Sequence, residues 1–201
     1  VDDSVRADWI EWSAQFESEP NAPLLDYFYR DALGFVSIGL GNLVDPYALL
    51  TAANLVFVRP DGEVASPSEV SLAWLVVRQD KTLDPRDGGA SYRHLTTIRA
   101  TQDSLRDLVL AKLDAFDEVM SHTFPTRWST FPPAAQRACL SMCWAVGPGW
   151  PHIFPLMGAA LACEAWDVAA RESRIARPVT DSLTRRNAAV RALLLSCNVQ
   201  Q

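Results

Sequence analysis

The run from Ala138 to Val146, ACLSMCWAV, constrains the chain most. As a helix it offers almost no polar side, and an element apolar all round must be enclosed by others. Its wider frame, AAQRACLSMCWAVG over 134–147, closes on Gly147, a helix stop. The rest of the sequence therefore has to supply helices or strands that wrap one central helix. At 201 residues it can do so, because a chain of this length hides roughly two thirds to three quarters of its unfolded surface. Apolar residues at 49%, charged residues at 21% and seven tryptophans exclude a disordered chain.

Candidates for the wrapping elements follow from periodicity. DDSVRADWIEWSAQF places Val5, Trp9, Trp12 and Phe16 at helical spacing. ESEPNAP breaks that helix, and from Tyr27 to about Leu43 the pattern turns to alternation with glycines, which predicts a short hairpin or small sheet. RPDG at 59–62 closes a second β excursion. SPSE then starts a helix running to about Asp80: Ser66 is the N-cap, Pro67 the first helical residue and Glu69 completes a capping box. DPRDGGAS, 84–91, reads as a turn-rich loop whose Asp84 and Asp87 are the nearest approach to a cation site. Residues 102–121 form a long amphipathic helix that FPTRWSTFPP ends, GPGWPHIFP makes a Pro and Gly corner, and helices follow over about 156–175 and 182–196.

No internal repeat is visible. One small β region among six or seven helices predicts an α+β fold with the strands segregated to one lobe, about 20–65, and a cleft between lobes as the default ligand site. The 201 residues read as a single domain. No run approaches a membrane span, and VDDSVRADW lacks the basic and apolar regions of a signal peptide. With no initiator methionine, the chain reads as a processed product or as the C-terminal domain of a longer protein. A formal charge of −6 argues against nucleic acid as partner. The four cysteines show no metal spacing and predict buried free thiols, with a disulfide as the alternative.

Three glycines, Gly34, Gly39 and Gly41, crowd the stretch DALGFVSIGLGN, 31–42. GLGN followed by LVDP lacks the lysine of a P-loop and the spacing of a dinucleotide fingerprint, so a phosphate cradle is excluded. What remains is a hairpin whose backbone is open to close approach. Acids stand at the neighbouring junctions: Asp31 before the turn, Glu17 and Glu19 after the first helix. Two such carboxylates can divide labour, one held protonated against apolar groups and one kept ionised. His94, His122 and His152 are scattered, without a nucleophile motif. Trp144 and Trp166 sit on apolar helix faces and are expected in the core, whereas Trp150, in the GPGWP corner, is the candidate for an exposed sugar platform.

DALGFVSIGLGN resembles the D-x-x-G-x-x-T-I-G-x-G signature of the phage T4 type lysozymes, glycoside hydrolase family 24. Tyr29 lies two before Asp31 as in that family, FPPAAQRACLSMCWAVGPG resembles its buried central helix, and TRRNAAVRALLL its arginine-bearing C-terminal segment. LTTIRATQDS and FPLMGAALACEAWDVAARES resemble segments of bacterial relatives, so the similarity is patchy but ordered along nearly the whole chain.

The resemblance implies a lysozyme-like fold and a muramidase that cleaves peptidoglycan between N-acetylmuramic acid and N-acetylglucosamine, without a cofactor or metal. The family's general acid is a glutamate after the first helix, and EPNAP reproduces an E-G-x-x-P pattern of some bacterial relatives with proline for glycine. That assigns the acid to Glu19, with Glu17 as the alternative; a fixed spacing of nine before Asp31 would land on Ala22. A carboxyl facing the negative end of a helix dipole near aromatic rings favours its protonated form, as a general acid requires. Asp31 becomes the partner carboxylate, and Ser37 matches the threonine that holds the attacking water. Tyr29, Gly39, Asn42, Trp150 and Arg186 are the expected substrate-binding residues, with Arg185 or Arg186 expected to approach the glutamate.

Expected partners are peptidoglycan glycan strands and an immunity protein. The resemblance implies a monomer acting in the bacterial periplasm or cell wall, as an endolysin or an exported antibacterial effector, by inversion at the anomeric carbon. A non-catalytic glycan- or partner-binding domain and a lytic transglycosylase are the alternatives.

Overall fold

The computed structural model describes residues 1–17, 24–85, 88–176 and 181–199. It is α+β, mainly helical with a small antiparallel sheet. The chain forms two compact units, Val1–Phe16 with Lys112–Gln201, and Glu17–Ala111. The β-containing unit therefore extends well beyond residue 65.

In the Glu17–Ala111 unit, β1 (Leu25–Arg30), β2 (Val36–Gly39) and β3 (Asn42–Leu43) form an antiparallel sheet in that order. Tyr29 pairs with Ser37 and Ser37 with Leu43, so the three share one face, since side chains alternate along a strand. Between Leu25 and Tyr29 the register shifts. The one-turn-and-a-half helix α2 (Tyr47–Ala52), which periodicity did not reveal, follows. Next, β4 (Phe57–Val58) runs into the RPDG turn, where the Gly62 N–H bonds to the Arg59 carbonyl and the Arg59 N–H to the Glu63 carbonyl.

The capping box forms as read: the Glu69 N–H donates to the Ser66 hydroxyl, and the Ser66 N–H to the Glu69 carboxylate, starting α3 (Pro67–Gln79). β5 (Arg99–Ala100) returns to pair with β4, a contact between distant segments that no local pattern announces. The core holds Phe28, Ile38, Leu40, Phe57, Val77, Tyr92 and Leu105, with the Phe28 and Phe57 rings 5.0 Å apart. Of the suggested cation pair, Asp87 lies outside the described residues.

The helix α4 (Gln102–Thr123) is divided between the two units at Ala111. In the other unit, α5 (Pro133–Val146) is the enclosed helix: Ala135, Gln136 and every residue from Ala138 to Trp144 are buried. It ends at Gly147, whose φ of +89° is the left-handed conformation that favours glycine. α1 (Asp3–Glu17) turns Val5, Trp9 and Phe16 inward, while Trp12 is half-buried.

The predicted helix over 156–175 is interrupted. After a short helix α6 (Trp150–Ile153), α7 (Pro155–Ala162) stops where Glu164 adopts φ +56°, and α8 (Trp166–Glu172) starts afresh. The Ala165 N–H bonds to the Ala160 carbonyl, closing the end of α7. Glu164 is tied to Arg127 by an ion pair, so a glutamate here supplies the left-handed stop usually given by glycine. α9 (Asp181–Ser196) packs on both α5 and α8.

Trp144 and Trp166 are buried as expected. All four cysteines are free; Cys139, Cys143 and Cys197 are buried and Cys163 is exposed. Among the described residues no helix is long and apolar enough to cross a membrane.

Candidate active site

The turn from β1 to β2 is built by Asp31. Its Oδ1 accepts the N–H groups of Leu33 at 2.9 Å and Phe35 at 3.0 Å, while Gly34 supplies the positive φ of +84° that closes the turn. The carboxylate is thereby oriented by its own loop. Asp31 is half-buried, and its Oδ2 takes no hydrogen bond from the described residues.

Behind it, Tyr29 is buried on the face it shares with Ser37. Burial pushes its phenol pKa above the ordinary tyrosine value, the negative charge of Glu17 adds to that, and a smaller push comes from Asp31. The Gly41 N–H, directed at the phenol oxygen, opposes the shift. Both carboxylates therefore act on one phenol.

Glu17, half-buried, is the last residue of α1. Its Oε2 would lie 3.2 Å from a Cβ added at Gly41, so the carboxyl rests against the backbone of that glycine. Gly41 itself has φ +74°. Two of the crowded glycines thus have separate tasks: Gly34 turns the hairpin, and Gly41 makes room for a carboxyl. Gly39, at φ +63°, faces Leu105 and Asn42, where an added Cβ would stand 3.2 and 3.3 Å from their side chains.

The expected acid, Glu19, lies outside the described residues. Of the expected substrate-binding residues, Tyr29 pairs with Ser37 on this sheet, Gly39 ends β2 opposite Leu25, and Asn42 begins β3 opposite Ile38. Asn42 is 3% exposed, with Nδ2 donating to the Ile38 carbonyl and Oδ1 sealed in without a partner, so it shapes the β2–β3 turn and does not face solvent. Ser37 is 2% exposed. Glu17, Asp31 and Gly41 form the accessible part.

One expectation is corrected. Trp150 is not an exposed platform: it is completely buried beside Phe124, because the corner that carries it folds as α6 and turns the indole inward. Arg186, 2% exposed, donates to the carbonyl and hydroxyl of Ser141 at 3.2 and 2.9 Å and lies 4.9 Å from the Phe16 ring centre. Arg185 reaches the Gln15 carbonyl at 3.4 Å.

Sequence reasoning passed over two glycines. Gly41 was visible in the GLG triplet but carried no assigned task. Gly89 begins a turn of 3-10 helix (Gly89–Tyr92) that lies on β1, where an added Cβ would come within 2.5 Å of Leu25 and 3.1 Å of the Tyr29 ring. Nothing local distinguishes it from an ordinary loop glycine, since the contact is with a strand some sixty residues earlier.

Compared with known proteins, the chain matches no family model, no curated protein and no solved structure. The functional reading therefore stands on the geometry around Asp31 and Gly41 together with the motif that contains them.

Proposed function

We propose that the chain is a peptidoglycan muramidase with a lysozyme-like fold, hydrolysing the β-1,4 bond between N-acetylmuramic acid and N-acetylglucosamine in cell-wall lysis. The supporting observation is the meeting of the Glu17 carboxyl with Gly41, beside the Tyr29 phenol that also feels Asp31. Glu17 ends α1, just ahead of the Tyr-x-Asp element, which is the place the motif requires of an acid. In this reading Glu17 takes the role first assigned to Glu19. Glycan strands are the partner, and an immunity protein accompanies the chain where it serves as an exported effector acting in the periplasm.

The chemistry needs two carboxylates. Glu17 gives its proton to the glycosidic oxygen, the bond from that oxygen to the anomeric carbon of muramic acid breaks, and N-acetylglucosamine leaves with a free 4-hydroxyl. Water adds to the anomeric carbon while Asp31 takes its proton, giving inversion, and Ser37 holds that water. The loop amides that fix Asp31 Oδ1 keep the base oriented while Oδ2 faces the water.

A non-catalytic glycan-binding domain is the second reading, favoured by the near-complete burial of Ser37 and Asn42. Digesting purified peptidoglycan and identifying the products by mass spectrometry separates the possibilities. New reducing muramic ends support hydrolysis, anhydromuramic ends would make the chain a lytic transglycosylase, and no new ends would make it a binder.

A further inference from the structure

A groove of about 480 Å³ opens on the helical unit between the end of α8, the segment 173–175 and the exposed face of α9. It is within the size range of small-ligand sites. Three arginines line it, Arg171, Arg174 and Arg191, in a chain whose formal charge is −6. Arg171 is shared with Asp167 one helical turn away, at 3.0 Å. Arg174 and Arg191 have no acidic partner among the described residues. Unpaired like charges around one cavity repel each other, and an anion in the groove removes that cost.

Another part of the lining is tied together by hydrogen bonds. Asn187 clamps the backbone of Ile175 from both sides, accepting its N–H at 3.1 Å and donating to its carbonyl at 2.9 Å. That clamp also bears on the kind of anion. Phosphate sites add backbone N–H groups aimed at the ligand, and here the Ile175 N–H is already used by Asn187. The lining also includes the apolar side chains of Ile175 and Leu183, alongside arginines that carry planar guanidinium forks. Forks of this kind match carboxylates through paired hydrogen bonds, and the apolar floor suits the methylenes of an acidic side chain.

The geometry points to a binding site for a peptide segment with closely spaced carboxylates, held by Arg174 and Arg191 with Arg171 at the rim. It lies wholly in the helical unit and stands whether or not the chain is a glycosidase.

The test is fluorescence anisotropy of a labelled triglutamate peptide titrated with the 201-residue protein at low salt. The protein should bind the peptide, Arg174→Glu and Arg191→Glu should each weaken binding about tenfold, a loss between those of surface and buried charge pairs. Arg191→Lys, which keeps the charge but loses the fork, should weaken it as well. The exposed Arg106→Glu, on the other unit, should leave it unchanged, and all variants should keep the wild-type circular dichroism because these guanidinium groups are exposed. Absence of binding, binding that survives both reversals, or displacement by inorganic phosphate as effective as by unlabelled triglutamate would each overturn the proposal.

Discussion

Gly41 meets two requirements that no other residue meets together. Its φ of +74° costs an L side chain about 1–2 kcal/mol, and a Cβ there would stand 3.2 Å from the Glu17 carboxyl. Gly41→Ala is thus expected to lower stability by about 1–2 kcal/mol in urea unfolding and, under the proposed muramidase function, to reduce glycan cleavage by more than the small unfolded fraction explains. Equal loss of folded protein and activity would mean that the carboxyl is not disturbed. The residue scale was partly legible in the sequence. Asp31 and the glycine-rich turn stood out because hairpin turns have restrictive local chemistry, whereas the neighbours of Gly41 and Gly89 are set by tertiary approach. The same difference explains Trp150: a Pro and Gly corner resembles exposed loop, and only the completed packing turns its indole inward.

Among the elements, α3 shows the strongest link from sequence to structure. Its capping box satisfies the Ser66 and Glu69 N–H groups reciprocally, so Ser66→Ala is expected to cost about 1 kcal/mol, read as a shift of the urea midpoint without a change in slope. The Glu69 carboxyl is held below its usual pKa chiefly by the Ser66 N–H and next by the Ser66 hydroxyl; the variant removes only the hydroxyl, so Glu69 should titrate somewhat higher by NMR. The enclosed helix α5 was equally legible, since its lack of a polar side leaves no other solution. The break between α7 and α8 was not: Glu164 has no compositional mark of a stop, and the left-handed turn is held by closure onto Ala160 and by Arg127. The β4–β5 pair was hidden for a related reason, because strands of two residues carry too little pattern to announce a distant partner.

At the scale of the whole molecule, several buried groups make stability fall in alkali. Burial raises the Tyr29 phenol, raises the Cys139 thiol and pushes the Cys143 thiol up to about 12. Each such group keeps its proton longer when folded than when unfolded. Its contribution is complete below the unfolded pKa, about 9 for a thiol and 10 for a phenol, and is lost as pH rises toward the folded value. Stability should therefore fall above pH of about 9, by about 1.4 kcal/mol per pH unit for each titrating group. Urea midpoints across this range check it: Cys143→Ala should flatten the decline from about 9 upward and Tyr29→Phe the part above about 10, while parallel curves for all three proteins would contradict it.

The Glu17 carboxyl is the proposed proton donor, and the release of reducing muramic ends from purified peptidoglycan by Glu17→Gln, with Glu19→Gln and Asp31→Asn alongside, tests that role most directly. Glu17→Gln should lose about 10²–10⁴ of the rate and Asp31→Asn a comparable factor, while Glu19→Gln stays near wild type and all keep the wild-type circular dichroism. Full release by Glu17→Gln, or no release by the wild-type protein, would contradict it.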